Sequence, residues 1–439
     1  MRPDRIVVGA GCAGLAAATR LAELGARVRV VEARRVAGGR SRSWLDPATG
    51  DVEDNGQHLV MGCYEEFLAF ARRTGGIDEL RFQDRPRIVL VERGGRRVVF
   101  APGPLPRPLD LLWGLVCLRG FPAGSVWHAR GILRDLRRGG PAGADLTASS
   151  WLAARRQAEE ARRRFWDPLI LATTNLDPDR VPASLLAEVL RRALLGGRDA
   201  ARIGYPRRGL GPLVVDPARS YLESHGGQLT LGAPVAAIEW NGDGRFRALV
   251  LRDGRRLEAG GLILAVPHRE AAGLLAAGPA SRCVEDGQRL GASAIVATHL
   301  WFDRCVSPEP VAGLIDSPVH WVFNRARIGG AREPGYLALV TSAAGRLAAS
   351  SRSEIVALAL GELAAFFPAA REARLVKARV IKERRATPAF EPGTLALRPE
   401  ARTRSPNLFL AGDWTATGLP ATLEGAAASG HRAAEQSVA

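Results

Sequence analysis

Lysine is nearly missing from this chain of 439 residues. Only Lys377 and Lys382 are lysines, so arginine supplies almost all of the 61 basic residues behind the net charge of +16. This imbalance, together with heavy use of alanine and glycine, is typical of a GC-rich genome, so the charge alone does not indicate a nucleic-acid binder. We predict no nucleic-acid partner and expect a basic surface that can face anionic lipid.

Long apolar runs and paired cysteines are lacking as well, and no leader segment is expected. No apolar run approaches the roughly 20 residues that span a bilayer. Only Met1–Arg5 precede the first predicted strand, which leaves no room for a signal peptide. The cysteines form neither a Cys-x-x-Cys pair nor a Cys/His cluster, which argues against a disulfide framework or a metal site: Cys12, Cys63, Cys117, Cys283 and Cys305. We therefore expect a cytoplasmic protein that binds no metal.

The length of the chain predicts two or three domains. Strands are expected at 229–239, 246–252 and 256–266, and mostly helices from about 86 to 200. Nucleotide-binding patterns stand at both ends of the chain, so the sequence predicts an α/β fold: a discontinuous Rossmann-like domain with an inserted α+β, largely helical substrate domain. The expected ranges are 1–85, 205–275 and 389–439 for the cofactor domain, and 86–204 and 276–388 for the substrate domain.

The segment Gly9-Ala10-Gly11-Cys12-Ala13-Gly14 lies between a predicted strand and a predicted helix. Gly9 permits a tight turn, Gly11 lets backbone approach a pyrophosphate, and Gly14 allows the helix to pack closely on the strand. The helix N-terminus then offers free N–H groups to phosphates. Glu32 ends the second strand, where its carboxylate can accept from a ribose hydroxyl. The expected cofactor contacts here are Gly9, Gly11, Cys12, Ala13, Gly14, Glu32, Ala33 and Arg34.

Two further motifs favour a flavin over a nicotinamide. In Gly38-Gly39-Arg40 the glycines let backbone pass close to a ligand, and Arg40 can pair with a phosphate oxygen. Near the C-terminus, a buried strand runs into Gly412-Asp413, whose carboxylate can bond ribitol. A helix then begins near Leu423, so its dipole can point at the electron-rich edge of a reduced flavin. Thr422 precedes this helix. The cofactor is therefore expected to be FAD.

Together these residues resemble the flavin amine oxidase and phytoene desaturase superfamily over nearly the whole chain. Other stretches resemble more narrowly the hydroxysqualene dehydroxylases of hopanoid biosynthesis, and the clearest of them is Ala411–Gly430. The remaining ones are Asp54–His58, Trp166–Leu169, Thr173–Asn175 and Arg384–Pro388. Leu176-Asp177 departs from the expected continuation after Asn175 and leaves the role of that loop open.

The resemblance also implies roles for individual residues. Arg40 would contact the pyrophosphate, and Val235 would offer backbone hydrogen bonds to the adenine. Gly412 and Asp413 would hold the pyrophosphate and ribitol, and the Leu423 N–H would reach the flavin O2. The segment Gly56-Gln57-His58 would run beside the isoalloxazine ring.

The resemblance implies that FAD-dependent chemistry removes the allylic hydroxyl of hydroxysqualene and gives squalene, a long-chain isoprenoid. A carotenoid-type desaturase, with electrons flowing from isoprenoid to FAD, is the first alternative. Amine oxidation is a further one, although no aromatic cage for an amine is identifiable. A fourth alternative, a prenyl-binding escort protein without flavin, would have no need for Glu32, Arg40 and Asp413 together. The electron donor stays open.

Several residues permit both a chemical and a structural interpretation. His58 is the candidate catalytic acid, or a histidine fixed by backbone hydrogen bonds. Glu424 is expected to cap its own helix, with proton transfer as the alternative. Cys12 is expected to pack inside the phosphate turn and not to attach flavin covalently. The tryptophans Trp166, Trp301 and Trp414 are expected to pack or to line the substrate pocket.

Residues 109–138 combine an apolar helix with many arginines. As a helix, residues 109–118 would extend only about 15 Å, too short to cross a bilayer. Trp113 and Trp127 lie in this region, and the surrounding arginines are Arg107, Arg119, Arg130, Arg134, Arg137 and Arg138. This composition predicts either a patch that rests on the inner face of the cell membrane or a core helix with a solvated arginine face.

Overall fold

The computed structural model describes residues 4–106, 109–143, 145–197, 199–329 and 331–439. Arg107, expected to flank the apolar helix at 109, lies outside these described residues. Helices α1 to α14 lie at Cys12–Glu23, Glu65–Thr74, Leu109–Val116, Ala123–Arg137, Ala148–Ala154, Glu159–Ala161, Asp167–Thr174, Ala183–Leu195, Asp216–Ser224, His268–Leu275, Arg282–Gln288, Arg325–Ile328, Arg352–Phe366 and Leu423–Val438.

The strands alternate with these helices at both ends of the chain and cluster in its second half. Strands β1 to β20 lie at Arg5–Val8, Val28–Val31, Ser43–Leu45, Val52–Asp54, Val60–Met61, Leu80–Phe82, Ile88–Val91, Arg97–Phe100, Ile203–Pro206, Gln228–Thr230, Val235–Trp240, Phe246–Leu251, Arg256–Glu258, Gly261–Leu264, Gly291–Phe302, Val311–Leu314, Trp321–Asn324, Gly335–Thr341, Leu375–Ala389 and Leu408–Leu410.

A parallel sheet joins strands from both ends of the chain in the order β10-β2-β1-β14-β20. Ile6 and Val30 are fully buried in it, as the apolar runs of a covered parallel sheet require. Helices α1 and α14 pack so closely that a Cβ on Gly430 would lie 2.3 Å from the Ala13 carbonyl oxygen. The two ends of the chain therefore meet at one sheet, and open α/β sheets bind ligands at the carboxyl edge.

A larger mixed sheet belongs to the inserted part, in the order β19-β15-β18-β17-β16-β7-β8. Its longest pairing is antiparallel and runs between β15 and β19, from Gly291 opposite Ala389 to Phe302 opposite Leu375. Within the described chain β19 pairs with β15 alone, so β19 is an edge strand. Helices α3 to α8 form a separate apolar cluster around the buried Trp151 and Trp166.

Two of the predicted strands are divided in the structure. Residues 229–239 form β10 in the parallel sheet and β11 in a separate antiparallel sheet, because Gly232, at φ +65°, and Pro234 interrupt the run. Residues 256–266 divide in the same way into β13 and β14. The helical region from 86 to 200 opens with the hairpin β7–β8, which joins the larger sheet. The five predicted domain ranges stay a prediction.

Candidate flavin site

The glycine turn between β1 and α1 has the backbone geometry of a phosphate cradle. Gly9 has φ +102°, and a Cβ there would lie 2.5 Å from the Ala265 carbonyl oxygen. A Cβ on Gly14 would lie 1.9 Å from the Gly9 carbonyl oxygen, so only glycine fits. A Cβ on Gly11 would meet nothing within 4 Å, and no side chain caps α1 at this residue. The start of α1 is therefore without a side-chain cap, and the space beside Gly11 is open, which suits a pyrophosphate.

Glu32 directly follows β2, beside this turn, and holds the neighbouring backbone. Its Oε2 accepts from the Ala10 N–H at 2.9 Å, and its Oε1 accepts from the Arg34 N–H at 2.9 Å. A backbone hydrogen bond also joins Glu32, next to Ala33, to the segment before Val235: the Ala233 N–H donates to the Glu32 carbonyl oxygen at 2.8 Å. The structure thus gathers the residues predicted for the adenosine half at one edge of the sheet.

An ion pair joins the N-terminal and C-terminal motifs. The Arg40 guanidinium donates to both carboxylate oxygens of Asp413, at 2.7 and 2.8 Å, and to the Ala386 carbonyl oxygen at 2.7 Å. Asp413 is buried, whereas 38% of the Arg40 side chain is exposed. The adjacent Gly412 N–H donates to the Ser429 hydroxyl on α14 at 2.8 Å. Arg40 therefore has an anchored geometry and an accessible side, as a phosphate ligand needs.

The segment expected beside the flavin ring is held by buried side chains. Gln57 donates through its amide nitrogen to Asp54 at 3.0 Å and accepts from Arg325 at 3.0 Å. The Asn55 amide nitrogen lies 3.4 Å from a Glu383 carboxylate oxygen. The Asn55 Oδ1 is buried, and none of the described residues donates to it. A buried acceptor without a donor is expensive, so a bound polar group such as a flavin fits this position.

His58 is partly buried on the same segment. Its Nδ1 lies 2.9 Å from the Gly56 carbonyl oxygen, a geometry in which an Nδ1–H donates. Burial lowers the pKa of His58, and the bond to Gly56 only partly opposes this. The ring is therefore mainly neutral near pH 7, which favours the backbone-fixed interpretation. Its role as the catalytic acid stays a prediction.

Glu424 caps a helix other than its own. Its Oε2 accepts from the Phe67 N–H at 2.9 Å and its Oε1 from the Glu66 N–H at 3.3 Å, at the start of α2. The cap of α14 is Thr422, whose hydroxyl accepts from the Gly425 N–H at 3.3 Å. The expectation that Glu424 caps α14 was wrong, because two packed helices bring their N-termini together. Burial raises the pKa of Glu424 to about 6.

Two of the family-like stretches meet near Arg40. Asn175 has φ +56°, and its amide nitrogen donates to the Thr387 hydroxyl at 2.9 Å. Ala386, next to Thr387, is the residue whose carbonyl accepts from Arg40. Leu176, which departs from the expected pattern, is buried in the helical cluster. The stretches at 173–175 and 384–388 therefore lie together in one region of the structure, next to the Arg40–Asp413 ion pair.

Cys12 and all three of the singled-out tryptophans, Trp166, Trp301 and Trp414, are buried. The Cys12 Sγ lies 3.8 Å from the Leu423 carbonyl oxygen, and burial raises the pKa of this thiol to about 12. A neutral thiol is a poor nucleophile, in agreement with a packing role. Trp414 donates from its indole to the Val266 carbonyl at 3.0 Å, and Trp301 donates to Asp51 at 2.9 Å. Both therefore pack with satisfied N–H groups.

Sequence reasoning missed Glu383, Arg325 and Ser429. Glu383 directly precedes the motif Arg384–Pro388, so its position next to a recognised motif could have indicated a role. Arg325 belongs to no recognised motif, whereas Ser429 lies inside the family-like stretch Ala411–Gly430 but was not assigned a role; their contacts with Gln57 and Gly412 span 268 and 17 residues of chain. Only the folded structure brings these side chains to the site.

The sequence was compared with known proteins. Residues 12–437 match the family described as flavin containing amine oxidoreductase. Hydroxysqualene dehydroxylase from Rhodopseudomonas palustris is 34% identical over 98% of this chain and 97% of its own length. The 15-cis-phytoene desaturase of Glycine max is 27% identical over 99% of this chain and 79% of its own. These matches extend over almost every motif described above.

Solved structures show the same fold. An oxidoreductase from Methanosarcina mazei superposes with a TM-score of 0.76 at 17% identity, covering 97% of this chain and 98% of that one. Putrescine oxidase bound to putrescine gives a TM-score of 0.73 at 20% identity, covering 100% and 99%. The predicted fold class, an amine-oxidase-type α/β fold with a Rossmann-like domain, is thereby confirmed, as is FAD as the cofactor. This chain belongs to the flavin-containing amine oxidoreductase family and is an FAD-dependent oxidoreductase.

Proposed function

We propose that this chain removes the allylic hydroxyl of hydroxysqualene and forms squalene. The observation that carries the proposal is the match to hydroxysqualene dehydroxylase from Rhodopseudomonas palustris, 34% identical over 98% of this chain. The phytoene desaturase of Glycine max is more distant at 27% identity. Desaturation is therefore the alternative, since it would use the same flavin with electrons flowing in the opposite direction.

The chemistry needs an apolar enclosure and a proton. Loss of the hydroxyl as water leaves an allylic cation, which bulk water would capture. Bound and reduced, the flavin supplies the hydride that completes the product. The chain contributes buried apolar side chains that pack with Leu59, next to His58: Phe323, Ile328, Ala338 and Val340. Apolar side chains at this position would keep bulk water away from the cation. His58 is the proposed acid for the departing hydroxyl.

The cofactor roles of individual residues belong to the same proposal. The open space above Gly11 and the uncapped start of α1 support a pyrophosphate there. Glu32 would accept from the ribose, and Arg40 and Asp413 would hold the phosphate and ribitol. The remaining proposed contacts are Gly9, Cys12, Ala13, Gly14, Ala33, Arg34, Gly39, Gly56, Gln57, His58, Val235, Gly412, Thr422 and Leu423.

A surface for substrate delivery is proposed on α3 and α4. Leu109, Trp113, Val116 and Trp127 are 51%, 48%, 62% and 61% exposed, whereas Leu111 and Leu115 face the core. The Arg130 guanidinium lies 3.1 Å from the Trp127 ring centroid, and Arg119, Arg134, Arg137 and Arg138 are exposed nearby. No helix in the described ranges is long and apolar enough to span a bilayer. Exposed tryptophan beside arginine suits the interface of an anionic membrane.

The membrane proposal is tested with anionic vesicles. The triple variant Trp113→Ser/Val116→Ser/Trp127→Ser should bind them about tenfold more weakly than wild type, with flavin content unchanged. A control triple variant, Leu24→Ser/Leu195→Ser/Val438→Ser, removes exposed apolar side chains elsewhere. Equal vesicle binding by wild type and the first variant would contradict the proposal.

The reaction itself is tested by the direction of electron flow. The holoenzyme is reduced chemically without oxygen and mixed with hydroxysqualene, and flavin absorbance and squalene are followed together. One squalene formed for each flavin reoxidised is the expected result. Stable reduced flavin with unchanged hydroxysqualene, together with bleaching of the oxidised flavin by a polyene precursor such as phytoene, would favour desaturation instead.

A further inference from the structure

An open groove of about 890 Å³ runs between helix α13 and the edge strand β19. The charged and aromatic side chains along it are Arg42, Trp44, Arg352, Arg379 and Lys382. Val356, Leu360 and Val380 line it with apolar groups. Leu45, which follows the lining residue Trp44, is exposed, and so is Val376, which lies close before the lining residue Ala378. We call this surface the α13–β19 groove.

The positive charges of the groove are only partly balanced. Arg379 forms ion pairs with Asp46 at 3.1 Å and Glu53 at 3.0 Å. Arg42 donates to the Gly39 carbonyl oxygen at 3.1 Å, and Lys382 donates to the Ser350 carbonyl oxygen. Within the described ranges no carboxylate forms an ion pair with Arg42, Arg352 or Lys382. The nearby Glu354 is engaged in the capping box of α13 with Ser351. The residues that line the groove therefore place basic side chains, and no carboxylate, around an apolar centre.

The groove lies directly behind the candidate flavin site. The Arg42 carbonyl oxygen accepts from the Asn55 N–H at 3.0 Å. A Cβ on Gly38, in the turn beside Gly11, would lie 3.0 Å from the Arg42 Cα. Glu383, adjacent to Lys382, faces the Asn55 side chain. Thus one layer of backbone separates the groove from the segment expected to run beside the flavin ring.

We propose that the α13–β19 groove docks an acidic one-electron carrier protein of the flavodoxin or ferredoxin type, which reduces the flavin. The inference rests on the proposed function, because each squalene formed consumes one two-electron-reduced flavin. Two successive one-electron transfers, with two protons taken up from water, restore it. Dehydroxylation then returns the flavin to its oxidised form and releases one water.

The geometry favours a protein carrier over a nicotinamide. Hydride transfer requires contact between the two rings, but backbone lies between the groove and the ring segment. Electron transfer between proteins requires only close approach, and interfaces of this transient kind are small. Opposite charges on the two surfaces accelerate encounter by about 10- to 1000-fold, and salt weakens the effect.

The test uses the holoenzyme and two charge-reversal variants. Arg352→Glu/Lys382→Glu changes the groove, and Arg247→Glu/Arg252→Glu makes the same change of charge on exposed residues of the β11–β13 sheet region. Reduced flavodoxin is mixed with each oxidised enzyme without oxygen, and flavin reduction is followed at low and high salt. Calorimetric titration with oxidised flavodoxin measures binding separately.

The groove variant should be reduced at least about tenfold more slowly than wild type at low salt, with weaker flavodoxin binding, and the difference should shrink at high salt. The control variant should behave like wild type. Equal rates for wild type and the groove variant, or no reduction of wild-type flavin by flavodoxin and ferredoxin, would overturn the proposal. So would loss of anionic-vesicle binding by the groove variant with unchanged reduction, which would assign the groove to lipid.

A separate measurement distinguishes failure of the docking proposal from failure of the proposed function. Chemically reduced wild type and the groove variant are each mixed with hydroxysqualene, which bypasses the carrier. Equal squalene formation by both supports a defect confined to electron delivery. If neither forms squalene while carrier reduction still depends on Arg352 and Lys382, the docking proposal stands and the dehydroxylation proposal fails.

Discussion

The phosphate end and the ring end of the candidate flavin site are built in different ways. At the phosphate end, Gly9, Gly11 and Gly14 lie within six residues of chain, and close backbone packing mainly shapes the turn. At the ring end, Asn55 and Gln57 are held by Glu383 and Arg325, 328 and 268 residues away. Local conformation therefore determines one end, and tertiary side-chain contacts determine the other. Variants at the two ends should fail differently.

The largest effect is expected for Gly14→Ala. Its Cβ would lie 1.9 Å from the Gly9 carbonyl oxygen, so strand and helix must separate. We expect a loss of about 3 kcal/mol in the free energy of unfolding, measured on flavin-free protein with urea. The matched variant Gly11→Ala adds its Cβ to open space and should change this free energy by less than about 0.5 kcal/mol. It should nevertheless weaken FAD binding about tenfold or more, because the methyl group occupies the phosphate approach.

A result in which both glycine variants lose stability equally would contradict the comparison. It would mean that Gly11 is required for the fold and not for the cofactor. Flavin binding measured by fluorescence titration separates the two effects, since Gly14→Ala loses both and Gly11→Ala loses affinity alone.

The next largest effect is expected where the two ends of the chain meet. Arg40→Met leaves the buried Asp413 carboxylate without its partner, whereas Asp413→Asn leaves a guanidinium that is 38% exposed. Removing the partner of a buried charge costs about 3–5 kcal/mol, and the exposure of Arg40 reduces this to about 2–3 kcal/mol. Asp413→Asn should cost less than half as much. Urea unfolding of the two flavin-free variants tests this order, and equal losses would refute it.

The same difference between local conformation and tertiary contacts explains how much of the structure could be predicted from the sequence. The β1–α1–β2 unit and helix α14 follow from periodicity and glycine spacing, because their geometry is local. The capping of α2 by Glu424 and the Arg325–Gln57 contact could not be predicted, since each joins distant elements. The division of residues 229–239 was missed because a run of strand-forming residues does not show that the chain turns at Gly232. The parts before and after this turn belong to different sheets. The family resemblance predicted that Gly56-Gln57-His58 runs beside the flavin ring, but it did not show which side chains hold this segment in place.

Glu424 provides a pH-dependent test of the buried contact between the N-terminal and C-terminal parts of the chain, where it caps α2. Burial raises its pKa to about 6 from a usual value of 4.5, although the Phe67 and Glu66 N–H groups and Arg192 favour the charged form. A raised carboxyl pKa contributes stability that is present below 4.5 and lost as the pH rises through about 6. The difference corresponds to about 2 kcal/mol.

Relative to Glu424→Gln, wild type should therefore lose about 2 kcal/mol of unfolding free energy between pH 4.5 and pH 7.5. Urea titrations of both proteins at several pH values give this difference. Because glutamine can still accept at α2, the comparison isolates the charge. Curves that stay parallel across this range would show that the capping contacts offset the burial of the carboxylate.

The smallest effect near neutral pH is expected for His58→Gln, and it tests whether the ring end holds the acid. Burial lowers the pKa of His58, so little of it is protonated at pH 7.5 and more at pH 5.5. A general acid contributes in proportion to its protonated fraction. Squalene formation by chemically reduced enzyme should thus fall about twofold in the variant at pH 7.5 and about tenfold at pH 5.5. Flavin binding serves as the control, because glutamine can still donate to the Gly56 carbonyl. If the wild-type and variant rates keep a constant ratio across this pH range, His58 only positions its segment, and the proton comes from another group.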